Sequence, residues 1–319
     1  MASYDLRGKK VWVAGHGGMV GSALVRRLAD EQCRILTVPR AELDLRRQAD
    51  VEAWMGRNRP DAVIIAAATV GGIAANSSRP AEFLYNNLSI ATNIIQAAAD
   101  GQVEKLLFLG TACMYPRLAD QPIREDSLLT GPFEPTNEGY AIAKVAGLKM
   151  CQSYRRQYGK DFIAACPTNL YGIGDNFDPK ASHVVPAMIA KIQTAIATGG
   201  PVEIWGTGTP RREFLYVDDA ADALVFLLKE YSSEELINIG AGEDVSIMEL
   251  AQAVAKIMGY KGGFDCDVSK PDGMPRKQLS AENILAMGWR PQVSLLDGLE
   301  KTISWYENAQ AEAKASAAS

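Results

Sequence analysis

Histidine is scarce in this chain: its 319 residues contain two, His16 and His183. Cysteine is sparse and unpatterned, with five residues (Cys33, Cys113, Cys151, Cys166 and Cys266) in an odd, scattered set without C-x-x-C spacing. That arrangement argues against a disulfide framework and a cysteine-bound metal, so no metal is expected. It reads as reduced thiols in a cytoplasmic protein, most of them core filler. Long basic blocks are missing and the net charge is -5, which argues against a nucleic-acid surface. The longest uncharged apolar stretch, residues 62–75, is too short and too glycine-broken to cross a bilayer, and residues 1–10 lack the apolar region of a signal peptide. No membrane association is expected. The remaining composition, 47% hydrophobic and 22% charged, is that of an ordinary globular protein with room for one large domain or two moderate ones.

What is present begins near the amino terminus. The apolar run Val11-Trp12-Val13-Ala14 leads into Gly15-His16-Gly17-Gly18-Met19-Val20-Gly21, after which Ala23, Leu24, Val25 and Leu28 carry a helical apolar pattern. Strand, glycine turn and helix in that order describe a dinucleotide site. Gly15 permits the tight turn, Gly18 lets a pyrophosphate approach the backbone, Gly21 allows close helix packing, and the helix start offers unpaired N–H donors. The next strand, read over residues 34–38, ends without the acidic residue that would hold an NAD ribose; Pro39-Arg40 stands there instead. A guanidinium at that point can neutralise a 2′-phosphate, which predicts NADP over NAD, against the plainer reading of Arg40 as a solvated loop charge.

Tyr140 and Lys144 lie four residues apart, with Thr111-Ala112-Cys113 about thirty residues earlier. On a helix, that spacing puts phenol and ammonium on one face with Cβ atoms roughly 6 Å apart. An adjacent cation and the positive end of a helix both favour a phenolate, and Pro135 and Gly139 set Tyr140 near the helix start. The Thr111 hydroxyl can then polarise a substrate carbonyl beside Tyr140. The spacing alone is common in helices; its company gives it weight.

Apolar runs at residues 62–66, 105–110 and 162–165 alternate with helices at 81–99 and around Tyr140, which predicts an α/β protein with a doubly wound, parallel Rossmann-type sheet. Gly71-Gly72, Thr111 and Pro167-Thr168-Asn169 all follow strands and should meet at the sheet's carboxyl edge. Residues 1–170 form the expected NADP-binding domain and 171–308 mainly a smaller substrate lobe. About 213–240 should cross back, and the alanine-rich residues 309–319 are expected to form a frayed tail. In the second part the punctuation changes at Gly172, Gly174, Pro179 and Pro186, ahead of an amphipathic segment over 183–198 and helices near 218–230, 246–258 and 295–308.

With the glycine turn, Thr111-x-Cys113-x-Tyr115-Pro116 and Tyr140-x-x-x-Lys144 together, the chain resembles the extended short-chain dehydrogenase/reductases over nearly its whole length. It is most similar to the NADPH-dependent branch that epimerises C3 and C5 of GDP-4-keto-6-deoxymannose and reduces C4. The narrower resemblance rests on Gly15-His16-x-Gly18-Met19-Val20-Gly21, Cys113-Met114-Tyr115-Pro116, Glu134-Pro135-Thr136-Asn137-Glu138, Pro167-Thr168-Asn169-Leu170-Tyr171-Gly172, Ser182-His183-Val184, Trp205-Gly206-x-Gly208-Thr209-Pro210 and Lys270-Pro271-Asp272-Gly273.

The resemblance implies that Tyr140 protonates the C4 oxygen and that Lys144 holds the nicotinamide ribose. It places Thr111 at the family's catalytic Ser, Cys113 as base and His183 as acid for the epimerisations. It also implies cofactor contacts from Gly15, His16, Gly17, Gly18, Met19, Val20 and Gly21. Further contacts would come from Arg40 with Leu43, Asp44 and Leu45, from Lys144, from Pro167, Thr168, Asn169 and Leu170, and from His183. GDP-sugar contacts fall to Lys191, Trp205, Arg212 and Asp272, and the assembly implied is a homodimer.

A diphosphate in an acidic chain needs local cations, and Lys191, Arg211, Arg212, Arg276 and Lys277 all lie in the expected substrate lobe. The chain departs from the family pattern at Gly17 and Val38, where Arg is frequent, at Thr69 and Ala112, where Lys and Ser are common, and at Arg211, where Met is common. Two alternatives stay open: an extended-family epimerase or reductase acting on a different keto-sugar, and a cofactor-sensing protein without catalysis. A 4,6-dehydratase would carry an Asp-Glu pair after Thr111, where Ala112-Cys113 stands.

Overall fold

Strands buried on both faces need continuous apolar runs rather than alternating ones, and the central strands have them: Val11, Trp12, Val13, Val63, Ile64, Leu106 and Leu107 are wholly buried. The structure is a computed structural model that describes residues 3–178, 182–270 and 272–318; Pro179 and Pro271, used above as a break and as part of a signature, lie outside the described residues. The first half runs β1 (Lys10–Ala14), α1 (Met19–Leu28), β2 (Arg34–Leu36), α2 (Gln48–Asn58), β3 (Ala62–Ile65), α3 (Ile73–Ser78), α4 (Pro80–Asp100), β4 (Lys105–Leu109), α5 (Glu138–Tyr158), β5 (Asp161–Pro167) and β6 (Asn169–Tyr171). The second half runs α6 (Val184–Thr198), β7 (Val202–Trp205), β8 (Arg211–Arg212), β9 (Phe214–Tyr216), α7 (Val217–Glu230), β10 (Ile237–Ile239), β11 (Val245–Ser246), α8 (Ile247–Ile257), β12 (Phe264–Asp267), β13 (Arg276–Lys277), α9 (Glu282–Ala286) and α10 (Leu295–Ala318).

The central sheet has six strands in the order β10-β5-β4-β3-β1-β2, and every pairing in it is parallel. The strand order reverses between β1 and β3, so the loops that leave them part and open a crevice at the carboxyl edge. Side-chain alternation divides the core. Trp12 and Val63 face the layer of α2, α4 and α5, with Trp54, Ile94 and Leu148, while Val11, Val13 and Ile64 face α1 and α7, with Leu24 and Leu224. A separate apolar core joins α6, α8 and α10 through Ile189, Ile192, Leu250, Val254, Leu299 and Ile303.

The chain passes between these cores more than once. β9 pairs with β6, and β10 returns to pair with β5 in the main sheet. Residues 309–318, expected to fray, instead continue α10. An alanine-rich stretch with small polar residues suggests fraying, but alanine is the strongest helix former and the stretch simply extends the turns before it. Among the described residues no helix is long and apolar enough to cross a membrane.

Candidate active site

The glycine corner is shaped by close approaches. Gly15 has φ +93°, and a Cβ on it would stand 2.6 Å from Ala67 N at the end of β3. A Cβ on Gly21 would stand 2.0 Å from the Gly15 carbonyl, so α1 can begin directly against its own turn only without a side chain there. Gly17 and Gly18 are exposed, and α1 starts at an N-cap Gly18 with no side-chain cap and no acid in its first turn. The first-turn N–H groups therefore lack a side-chain partner, and the corner fits a pyrophosphate. Arg40 is exposed beyond β2. Leu43 is instead 4% exposed and packs with Trp12, so only its backbone is offered to a ligand. Arg46 grips Asp44 through both carboxylate oxygens and holds it down at about 2. Thr168 and Asn169 tie β5 and β6 to the Glu213 carbonyl.

At the end of β4, Thr111 caps a single 3₁₀ turn (Ala112–Met114), its hydroxyl accepting from Cys113 N at 3.4 Å. The same hydroxyl lies close enough to the Tyr140 phenol to favour its ionised form. Tyr140 is the third residue of α5, as Pro135 and Gly139 led us to expect. The lowered proton affinity expected for this phenol is reversed by its surroundings. Burial pushes the phenol up, nearby Cys113 adds to this, and the Thr111 hydroxyl offsets only part of it. Lys144 Nζ sits 5.9 Å from the Tyr140 ring centroid and donates to the Leu109 carbonyl at 2.8 Å. Burial pushes Lys144 down to about 8. Desolvation outweighs the pairing that helical spacing implied, and the resting phenol holds its proton.

Cys113 is half-buried. Its Sγ accepts from Asn137 Nδ2 at 3.2 Å and lies 3.8 Å from Lys277 Nζ. His183 N-caps α6 and is open to solvent on one side, while the protein packed around it lowers its proton affinity. The preceding Ser182 carbonyl would stand 3.0 Å from a Cβ on Gly72, which brings this segment against the loop after β3.

The five cations of the second lobe separate into different roles. β8 and β13 run parallel with Arg211 opposite Arg276 and Arg212 opposite Lys277. Strand alternation turns the first pair to one side and the second pair to the other. Arg211 and Arg276 both bind Asp244, so they are tied up in ion pairs rather than free for a phosphate. Among the described residues Arg212 donates only to carbonyls, those of Arg211 and Met274, and Lys277 reaches the thiol. Trp205 is 58% exposed with Lys191 Nζ 5.2 Å and Lys270 Nζ 6.0 Å from its ring centroid. Asp272 accepts from the backbone and hydroxyl of Thr207, each at 2.8 Å, and thereby holds the turn after Trp205.

Sequence reasoning missed Asn137, read only as part of a signature, and Glu213. Glu213 is wholly buried and accepts from Gly242 N and Leu279 N, each at 2.9 Å. A carboxylate just ahead of the apolar Phe214-Leu215-Tyr216 was the available signal for it. Among the described residues no His, Cys, Asp and Glu cluster could hold a metal.

Residues 11–240 match the NAD dependent epimerase/dehydratase family. A GDP-L-fucose synthase from Sinorhizobium fredii is 57% identical over 303 residues, covering 95% of this chain and 96% of that relative. In structure, a GDP-6-OMe-4-keto-L-xylo-heptose reductase from C. jejuni superposes with a TM-score of 0.90 at 32% identity, covering 97% of this chain and 100% of the other. A GDP-L-fucose synthetase from Naegleria fowleri bound to NADP gives 0.89 at 28% identity, covering 97% and 98%. The chain thus belongs to the NAD dependent epimerase/dehydratase family and, within it, to the GDP-L-fucose synthase group.

Proposed function

We propose that the protein converts GDP-4-keto-6-deoxy-D-mannose to GDP-L-fucose by epimerising C3 and C5 and reducing the C4 ketone. The observation that carries this reading is the place of the Thr111 hydroxyl, which accepts from Cys113 N and lies close enough to the Tyr140 phenol to favour its ionised form. The proton donor on α5 and the thiol on the turn after β4 thereby meet at one hydroxyl. The glycine corner with its uncapped helix start would hold the dinucleotide, with Arg40 at the 2′-phosphate. When bound, NADPH supplies the hydride.

The protons on C3 and C5 are acidic because each flanks the C4 ketone. Cys113 as its anion takes such a proton, and the C–H electron pair moves into an enolate whose oxygen accepts a hydrogen bond from Tyr140. His183 returns a proton to the opposite face. The protein packed around it lowers its proton affinity, and the negative charge of a diphosphate-bearing substrate works in the opposite direction. In the reduction, Tyr140 hands its retained proton to the C4 oxygen, and Lys144 faces the phenolate so formed. Arg212, Lys191 and Trp205 would receive the GDP, with Asp272 shaping the turn beside them. The lobe built on α6, α8 and α10 is read as the substrate lobe.

The assembly is read as a cytoplasmic homodimer. Tyr85 on α4 and Ile142 on α5 expose large apolar side chains on two helices that pack side by side, and the five cysteines are free. Incubation with GDP-4-keto-6-deoxy-D-mannose and NADPH in deuterated water tests the reaction. GDP-L-fucose labelled at C3 and C5 is expected. A reduced product that keeps the manno configuration at both carbons, or faster turnover of another keto-sugar, overturns the assignment.

A further inference from the structure

Asparagine is among the strongest helix N-caps because its side-chain oxygen accepts from the N–H groups of the first turn. Asn137 occupies the N-cap of α5, yet its side chain caps nothing. The amide turns away from its own helix, and its Nδ2 donates to Cys113 Sγ at 3.2 Å. Its Oδ1 is buried without a hydrogen-bond partner among the described residues. A residue that gives up the stabilisation its position offers, and leaves a buried acceptor open as well, marks a functional constraint rather than a packing solution.

We propose that Asn137 is a further catalytic residue, whose amide N–H stabilises the anion of Cys113 and so fits the thiol to take protons from the substrate carbons. This rests on the reading of Cys113 as the epimerisation base. Among the described residues Lys277 Nζ also reaches the sulfur, at 3.8 Å, and the Tyr140 phenol and the Cys166 thiol feel its charge without a hydrogen bond to it. Of these, Lys277 alone carries positive charge, and it stands farther away on β13, across the lobe boundary. Asn137 is therefore the donor that belongs to the same domain as the thiol and is anchored by the start of the Tyr140 helix. In the step itself, the sulfur anion forms an S–H bond as the C–H bond breaks. The electron pair passes to the C4 oxygen, and the amide N–H is released from its charged acceptor until the proton leaves again.

The test uses the full-length protein with Asn137→Ser and Asn137→Asp, both good N-cap residues that lack the amide donor. Iodoacetamide modification at Cys113, read by peptide mass spectrometry at pH 7, and solvent-deuterium exchange at C3 and C5 of the 4-keto sugar are measured side by side. Losing a hydrogen bond to a charged acceptor should slow both by about tenfold or more in each variant, with the thermal midpoint and NADPH affinity near those of the parent. Parental rates of alkylation and exchange in Asn137→Ser overturn the proposal and leave Asn137 a helix-start residue only. Parental rates in Asn137→Asp overturn it equally, since that variant keeps an acceptor and removes the donor. Cys113→Ser separates the two claims. Undiminished exchange there removes the thiol from the reaction, whereas lost exchange there beside unaltered Asn137 variants sinks only the role of Asn137.

Discussion

The corner between β1 and α1 and the corner between β8 and β13 both bring positive potential to the cleft, and they do so in opposite ways. At the first, the charge is in the backbone: uncapped N–H groups of α1, reached over glycines whose absent side chains are replaced by contacts with Ala67 and Gly15. The geometry is local in sequence and leaves few choices. At the second, the charge is in side chains on two strands far apart in the chain, and each cation's role depends on its partner. Arg211 and Arg276 are neutralised by Asp244, while Arg212 and Lys277, one position along on the same strands, are not. A backbone site is set by steric exclusion, whereas a side-chain site is set by competition among carboxylates, carbonyls and ligand.

The site between these corners gives the largest expected effect. Tyr140→Phe should lower NADPH oxidation with the 4-keto sugar by about a thousandfold, within the range for losing a positioned general acid, and should leave the NADPH dissociation constant nearly unchanged. Retained turnover would falsify its role as proton donor. At the β8 corner, Arg212→Ala should weaken GDP binding about tenfold to a hundredfold, the usual worth of hydrogen bonds to a charged ligand. Arg211→Ala should change it less than about twofold, because its guanidinium is already engaged by Asp244. Equal losses in a calorimetric titration of the two variants would erase the distinction drawn here.

At the β1 corner, Gly21→Ala should destabilise the protein by about 1–3 kcal/mol, as overpacking does, and abolish NADPH binding; thermal unfolding and fluorescence titration read the two effects. Asp244→Asn should lose about 1–3 kcal/mol at pH 7 by the same thermal assay. Burial raises Asp244, but its bonds to Arg276 and Arg211 outweigh this and hold it below the usual carboxylate range. A depressed folded value means that the stabilisation is present above the ordinary carboxylate pKa and is lost as pH falls through the lower, folded value. The gap between variant and parent should therefore close in strong acid, and a gap independent of pH would count against the ion-pair account. The smallest effect belongs to Gly17→Ala, where a Cβ meets nothing within 4 Å. Its midpoint should match the parent to within about 0.5 kcal/mol.

Much of the fold was legible because parallel strands buried on both faces must be apolar throughout, and glycine turns and helix punctuation are equally local. The strand ends carrying Gly71-Gly72, Thr111 and Pro167-Thr168-Asn169 could be placed on one edge from element order alone. Three readings went differently. β2 ends at Leu36 rather than at residue 38, residues 309–318 are helical, and the lowered proton affinity expected at Tyr140 gives way to a raised one. In each case the deciding term lay outside a short window of sequence: pairing with β1, continuation of an existing helix, or desolvation by the surrounding protein.

By itself the sequence determined the doubly wound sheet, the dinucleotide corner and the presence of the Thr111, Cys113, Tyr140 and Lys144 set, because periodicity, steric exclusion at glycine and helical spacing act over a few residues. Only the tertiary structure decided which cation faces which anion, that Lys144 bonds a backbone carbonyl, and that Asn137 leaves its own helix for the Cys113 sulfur. Hydrogen bonds and ion pairs are contests among all groups within about 3–4 Å, and the chain brings those groups together from positions that no local pattern connects.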